Sequence, residues 1–480
     1  MSYTLPSLQR LQMTSLLLSS PSEILNIIFA HLEPTDHLTL GLTHRNLRPL
    51  INPILYSRIE WEWKGPWTPP ILRFLRSIIH RPELAKFVKV VILKGSNLEY
   101  HLRGDRSQSP KIAVTEDDLK PLIECVARTN VSYRGEWIQE LRSGTIDAFV
   151  ALLLSQVPRL NTLYLGEDFT LQSLFVGRIL RSSLCEKHDY FHSFQNLREV
   201  SMPYFHFEFD KEHFRTTRNT ADVLPLFYLP TVERMRAVID NPAYFEWPGA
   251  CFPASQSLRS LDLTMVREGN LGKILSATPK LKSLTWDWYY SPDLHDDFHT
   301  DIIDLDQLAA DVTLVRETLT YLKISASTDV VEITRLPDTQ IKGSFTLFPG
   351  LTRLKTLEVP IPFLFGFSKS DPNILGLEKL LPTSLEWLHL TDDLSYHSDW
   401  NWMRDVDYLL SLISSWILQG KQFTPYLGGI RLILKQTLVD HWTEEADPKF
   451  KYLGMQAAQA GLQFEVIEVL PSPESPEFWS

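Results

Sequence analysis

The chain has 480 residues, 44% hydrophobic and 22% charged, with a formal net charge of −11; this is a globular composition with room for more than one domain, and its acidic balance argues against a general nucleic-acid or anionic-membrane binder. Cys125, Cys185 and Cys251 stand far apart with no CxxC pair, which suggests neither a disulfide framework nor a zinc site. No apolar run reaches the ~18 residues that span a bilayer, and Leu16-Leu17-Leu18 is too short for a signal-peptide core, so the expected location is cytoplasmic or nuclear, away from any membrane.

Residues 1–15 are polar-mixed and read as a loose terminus. A helix start follows. Ser20 is suited to N-cap, Pro21 to the first helical position, and Glu23 falls three after the cap, as in a capping box. The helix carries Ile24, Leu25, Ile27, Ile28, Phe29 and Leu32. Ile24, Ile28 and Leu32 read as one stripe, Leu25 and Phe29 as a second, with Ile27 directed elsewhere. That is more apolar surface than one buried face needs. Glu33-Pro34 stops the helix, and Thr35-Asp36 can cap a second one bearing Leu38, Leu40 and Leu42. A third segment, Leu47 to Tyr56, contains Pro49 and Pro53. Three short helices cannot bury all of this alone, so some of it must face the rest of the chain or another protein.

This order of residues resembles the F-box, the module that docks substrate receptors onto the Skp-type adaptor of SCF ubiquitin ligases. The resemblance rests on Pro21, Glu23-Ile24-Leu25, Ile28-Phe29, Leu32, Pro34, Asp36, Leu38, Leu40 and Leu42. Asn52-Pro53-Ile54-Leu55-Tyr56, followed by Trp61, looks like the ending found in fungal members. Two positions depart from the pattern: Ser20 stands where a leucine is usual, and His44-Arg45 where a cysteine and a basic residue are usual. The resemblance covers about a tenth of the chain. It implies a module over 16–60 that binds the adaptor through Pro21, Ile24, Leu25, Ile28, Phe29, Leu32, Pro34 and Leu38. It also implies that cullin–RING ligase subunits, not this chain, transfer ubiquitin. The plainer alternative is a helical cap on whatever follows.

Residues 61–83 read as a linker and joining helix. Trp61, Trp63 and Trp67 with Pro66, Pro69 and Pro70 suggest a rigid joint with buried aromatics. Ile71 to His80 reads as a helix with Ile71, Leu72, Leu75, Ile78 and Ile79 inward. From there one pattern recurs through 84–470: apolar, two residues, apolar, one residue, apolar. It appears at Phe87-Val90-Ile92, Leu160-Leu163-Leu165, Leu197-Val200-Met202 and Val232-Met235-Ala237. It returns at Leu258-Leu261-Leu263, Leu281-Leu284-Trp286, Leu319-Leu322-Ile324, Leu354-Leu357-Val359 and Leu385-Leu388-Leu390, with a weaker copy at Leu427-Ile430-Leu432. From Leu160 to Leu385 the starts are 37, 35, 26, 23, 38, 35 and 31 residues apart.

This is the LxxLxL core of a leucine-rich repeat. In each copy the last two apolar residues point inward from a short strand, and neighbouring copies stack into one core. The asparagine or cysteine that usually follows is absent, so an irregular horseshoe is expected. The fold class is α/β: a short three-helix module, then a solenoid with parallel strands on the concave face and helices on the convex face. Thr145 to Val157 is the clearest convex helix, with Ile146, Phe149, Val150, Leu153 and Leu154 inward. Thr115 opens another. Gly95 to Lys111 reads as a loop, Tyr289 to Asp306 as an acidic insertion, and 471–480 as a Pro/Ser-rich, unstructured tail.

The search for chemistry finds little. His295 and His299 stand at the i, i+4 spacing of zinc helices, but Asp296 replaces the needed glutamate, so a solvated acidic loop is the expected reading and a metallo-enzyme the remote one. Cys185 near His188 lacks a catalytic setting. No catalytic residue and no cofactor is expected. The concave strand positions mix charges with aromatics: Thr162 and Tyr164, Glu199 and Ser201, Arg234 and Arg236, Ser260 and Asp262, Ser283, Thr285 and Asp287, Tyr321 and Lys323, Thr356 and Glu358, Trp387 and His389. Tyr164, Arg236, Tyr321 and Trp387 are the expected anchors for an unidentified protein target. Asp262 and His389 read as solvent-facing. Two functions remain open: an SCF substrate receptor, or a repeat scaffold not engaged in ubiquitination.

Overall fold

The computed structural model describes residues 20–63, 68–95, 111–166, 169, 174–203, 220–242, 244–292, 299–328, 339–367, 376–395, 397, 399–400, 406–419 and 422–469. Among the described residues, twelve strands form one parallel sheet in chain order and two more form a second. They are β1 (Arg58–Glu62), β2 (Val90–Lys94), β3 (Thr162–Leu165), β4 (Glu199–Met202), β5 (Arg234–Val238), β6 (Ser260–Thr264) and β7 (Ser283–Tyr290), then β9 (Tyr321–Thr328), β11 (Thr356–Pro360), β12 (Trp387–Thr391), β13 (Gly429–Lys435) and β14 (Gln463–Val469). The two remaining strands, β8 (Ile302–Asp304) and β10 (Gln340–Lys342), pair with each other in a separate small parallel sheet.

The repeat pattern fixes the register. Leu163, Val200, Met235, Leu261, Leu284, Leu322, Leu357, Leu388, Ile430 and Phe464 are aligned across ten strands. All but the last lie in one continuous buried core. At the strand entrances a backbone ladder links each repeat to the one before. Glu233 N–H donates to the Arg198 carbonyl, Arg259 to Glu233, Lys282 to Arg259, Thr320 to Lys282 and Lys355 to Thr320, all at 2.8 Å. Parallel strands carry both faces of the solenoid, so a slip of one residue would turn the core outward.

Such a slip is the correction needed at β2. The expected inward pair was Val90 and Ile92. The observed pair is Val91 and Leu93, aligned with Leu163 and Leu165 and fully buried. The run from Phe87 to Leu93 is apolar at nearly every position and fits either phase. Besides β8 and β10, two strands of the large sheet also lie outside the expected set. β1 falls inside the segment assigned to the helical module and the linker: Tyr56, Ile59 and Trp61 are a first copy of the repeat, with Ile59 aligned to Val91 and Trp61 to Leu93. β14 supplies a last copy in which Gly461 stands at the first apolar position, ahead of Phe464 and Val466.

The convex side is thicker than a single layer near the start. Helix Ile146–Gln156 is buried from Ile146 through Ser155, not along one face. Helices Ile71–His80, Arg134–Ser143 and Leu174–Leu184 pack around it. Trp137 Nε1 donates to the Ala148 carbonyl at 2.9 Å, and its ring stacks on Phe175. Asp147, inside this cluster, accepts from the Phe175 and Val176 N–H groups at 2.6 and 3.1 Å, at the start of helix Leu174–Leu184. Burial pushes its carboxyl up to about 7, against those two hydrogen bonds and Arg178. Further along, Gly272 lets helices Glu268–Ser276 and Leu305–Thr313 approach, since a methyl there would collide with the Asp311 carboxylate.

The joint behaves in part as expected. Trp63 is buried against Phe169, and Trp61 packs edge-on to Phe74. Pro66 and Trp67 lie outside the described residues, as do 1–15, most of the Gly95–Lys111 loop, the 471–480 tail and His295. Within the expected acidic insertion, Tyr289 and Tyr290 belong to β7 and Ile302–Asp304 is β8.

The N-terminal helices are α1 (Ser22–Ala30), α2 (Pro34–Thr43) and α3 (Arg48–Leu55). Their starts differ from expectation. Pro21, not Ser20, is the N-cap of α1, and Glu23 accepts from the Ser22 hydroxyl at 3.2 Å rather than closing a capping box. Glu33 caps α2, which begins at Pro34 itself. Leu25, Phe29, Leu47 and Ile51 form a small core separate from that of the solenoid. The buried His37 ring bonds the Phe29 carbonyl at 2.7 Å and ties α2 to α1.

Candidate binding surfaces

The first surface is on α1 and α2. Ile24, Ile27, Ile28, Leu38 and Leu42 are 47%, 58%, 39%, 52% and 70% exposed. Helical spacing explains the set. Ile24, Ile27 and Ile28 are i, i+3 and i+4 and share one face; Leu25, Phe29 and Leu32 are i, i+4 and i+7 and share another. The second face packs on α3, so the first is left outward.

This divides the residues expected to meet the adaptor. Pro21, Ile24, Ile28 and Leu38 are exposed, and Leu32 is half-buried. Pro34 opens α2. Leu25 and Phe29 are a correction: at 4% and 0% exposure they are the module's own core and present no surface. Ile27 and Leu42 were not among the expected contacts. The i+3 relation of Ile27 to Ile24 was the available signal for the first.

The second surface is the concave face. One row runs Tyr164, Ser201, Arg236, Asp262, Thr285, Lys323, Glu358, His389, Arg431 and Glu465. A parallel row runs Thr162, Glu199, Arg234, Ser260, Ser283, Tyr321, Thr356, Trp387 and Gly429. Tyr164 and Arg236 therefore sit in the first row, and Tyr321 and Trp387 in the second; all four are half-buried.

Charges in these rows are matched across strands. Arg236 pairs with Asp262 at 3.3 Å, Lys323 with Glu358 at 2.8 Å, and Arg431 with Glu465 at 2.7 Å; Arg234 pairs with Glu199. Glu358 is the hub. It also receives His389 Nδ1 at 3.5 Å, and its charge bears on the Tyr321 hydroxyl. Burial alone would raise the Glu358 carboxyl, but His389 and Lys323 outweigh it and hold the group below its usual range. Burial, then the charges of Glu358 and Asp262, push the Tyr321 hydroxyl up to about 12. Asp262 is held above the usual carboxylate range by burial, against Arg236 and Lys323. Asp262 and His389 are thus parts of a half-buried network, not the solvent-facing residues expected.

Trp387 is braced by two neighbours. The Arg431 guanidinium lies 4.4 Å from its ring centre, and His389 meets it edge-on at 6.2 Å. Gly429, next to it on β13, has no side chain because a methyl would collide with the indole.

The other candidates do not assemble a reactive centre. His299 is buried and stacked on Tyr290, with ring centres 5.6 Å apart, in place of the solvated loop expected. Among the described residues there is no group of three or more His, Cys, Asp or Glu arranged to hold a metal ion. Burial pushes the Cys185 thiol up to about 11, the reverse of what a nucleophilic thiolate requires. Among the described residues no helix is long and apolar enough to cross a membrane.

A family model described as the leucine-rich repeat domain matches residues 68–457. No curated protein matches the chain. With that match over most of its length and a parallel sheet of stacked LxxLxL strands, the chain belongs to the leucine-rich repeat domain family.

Proposed function

We propose that this protein is the substrate-recognition subunit of an SCF-type ubiquitin ligase. The helical module over α1–α3 docks on a Skp-type adaptor, and the repeats hold a target protein for ubiquitin transfer by the cullin–RING subunits. The observation that carries the reading is the exposed apolar face of α1 and α2: five large apolar side chains left outward by a module that already has a core of its own. Exposed apolar groups gathered on one small element mark an interaction site. The contact residues under this reading are Pro21, Ile24, Ile27, Ile28, Leu38 and Leu42. At the coarser level, the family match alone supports a protein-interaction scaffold, and the F-box reading adds what the scaffold is attached to.

The test is a pull-down with the full chain and with Ile24→Asp/Ile28→Asp. The variant is expected to lose at least ~100-fold in adaptor affinity, and cullin with it, as hot-spot disruption does. Unchanged adaptor affinity in a folded variant would sink the docking assignment. Adaptor binding without cullin would leave only the scaffold role. Target capture is tested in parallel with Tyr164→Ala/Arg236→Ala and Tyr321→Ala/Trp387→Ala. At least one should lose target while keeping adaptor. If both retain every partner, the concave face is not the receptor surface.

A further inference from the structure

The two ends of the sheet are built differently. β1 is five residues long, carries Arg58, Glu60 and Glu62, and follows directly on α3. β14 is seven residues long and is the last strand among the described residues. Its Val466, Ile467 and Val469 are 36%, 37% and 44% exposed. Beside it, Tyr452 and Met455 of helix Gln436–Gln459 are exposed as well, so both the sheet layer and the helix layer end in apolar side chains. A long apolar edge strand is a template for pairing.

The backbone shows which groups are offered. Gln463 N–H donates to the Gly428 carbonyl at 2.8 Å. Successive residues of a strand alternate in direction. Gln463, Glu465, Ile467 and Val469 therefore bond toward β13, and the N–H and C=O groups of Phe464, Val466 and Glu468 point away from it.

We propose that this end is a homodimer interface in which β14 pairs antiparallel with β14 of a second copy, centred on Val466. Three observations select a second copy as the occupant. In that register Val466 meets Val466 on the axis, while Phe464 stands opposite Glu468 and Glu465 opposite Ile467, so one β-branched pair is gained and no like charges are directly opposite. The acid nearest to its own counterpart, Glu465, is already neutralised by Arg431 at 2.7 Å. The outward groups of Phe464, Val466 and Glu468 then form the narrow hydrogen-bonded pairs, about six bonds across the axis. The chain's own continuation is poorly suited to the edge, because Pro471, Pro473 and Pro476 lack the N–H that a next strand must donate. Finally, a strand of this length is ~23 Å long and the two layers are ~20 Å deep, which gives on the order of 1,000 Å² buried by the pair, the size at which specific interfaces begin. The interface is independent of adaptor docking and leaves α1–α3 at the far ends of the pair.

Light scattering on the full chain at about 10–100 μM should give twice the mass of one chain; a monomer throughout that range overturns the proposal. Ile467→Glu sets an acid against Glu465 of the second copy and should give a folded monomer with the far-UV signal of the parent. A dimer that survives it overturns the proposal. Register is read by cross-linking in a Cys251→Ser background. Val466→Cys brings two thiols onto the axis, with Cα atoms about 5.5 Å apart, and should form a disulfide-linked dimer under mild oxidation. Phe464→Cys, displaced along the strand, should not. Equal cross-linking by both, or by neither, overturns the antiparallel pairing.

Discussion

The N-terminal module and the concave face are both candidate contact surfaces, yet they are made in opposite ways. On α1 and α2 the large outward side chains Ile24, Ile27, Ile28, Leu38 and Leu42 are apolar. On the concave face nearly every charge has a partner on the next strand, and the aromatic ring of Trp387 is braced by Arg431 and His389. An apolar face gains free energy from almost any complementary apolar surface, so it suits one constant partner. A prearranged polar network discriminates, because a wrong partner leaves buried groups unpaired. The contrast fits a division between constant docking and selective recognition.

The comparison breaks first at the module, where two faces of one helix should respond very differently. Phe29→Ala should cost about 3–5 kcal/mol, enough to unfold so small a core. Ile27→Ala on the opposite face should change stability by no more than about 0.5 kcal/mol. Chemical denaturation followed by the far-UV signal of the helices measures both; similar costs would mean the faces are misassigned.

On the concave face the hub is Glu358, which is 7% exposed and holds Lys323 and His389. Glu358→Ala should cost about 2–3 kcal/mol, the range for losing charged hydrogen bonds that leave buried partners behind. Ser283→Ala in the same face should be nearly neutral. If Glu358→Ala were as mild, the network would be a surface arrangement with no part in stability.

The smallest effect is a slope with pH. Asp147 and Glu268 are raised to about 7 and Asp311 to about 6, each chiefly by burial. A raised carboxyl binds its proton more tightly in the folded chain than in the unfolded one. Stability is therefore greatest below the unfolded value near 4 and falls as pH rises toward 6–7, by at most about 1.4 kcal/mol per pH unit for each group. Thermal unfolding between pH 4.5 and 7.5 should show that decline, opposed in part by His192, whose imidazole burial lowers to about 4, and Asp147→Asn should reduce the slope without abolishing it. A flat profile in the parent protein would mean that these carboxyls stay ionised.

The repeat was legible because its signal is local. In β3 through β13 the apolar positions recur at fixed offsets, and a strand has only two faces. Once Leu261 and Leu263 are inward, Asp262 must be outward. The first and last strands escaped for definite reasons. Tyr56-Ile59-Trp61 carries the pattern but abuts three helices that claim the same residues, and β14 has Gly461 where a leucine would announce it. The concave rows could be written down in advance, but not their pairing. Glu358 meets His389 and Lys323 because β9, β11 and β12 are neighbours, although the residues come from segments more than thirty positions apart.

The sequence by itself determined the solenoid: a two-residue alternation repeated at 23–38 residue spacing has only one way to bury its leucines, by stacking copies side by side. The tertiary structure decided which face of α1 is surface. By spacing alone, the stripe Ile24-Ile28-Leu32 and the stripe Leu25-Phe29 have equal claims to a core; the structure regroups them, with Leu32 packed beside Leu25 and Phe29 and Ile27 exposed with Ile24 and Ile28. Only the packing of α1 against Leu47 and Ile51 of the α3 segment chooses between them. The same holds for the β2 phase, where adjacent apolar residues left both faces available and the neighbouring strand supplied the register.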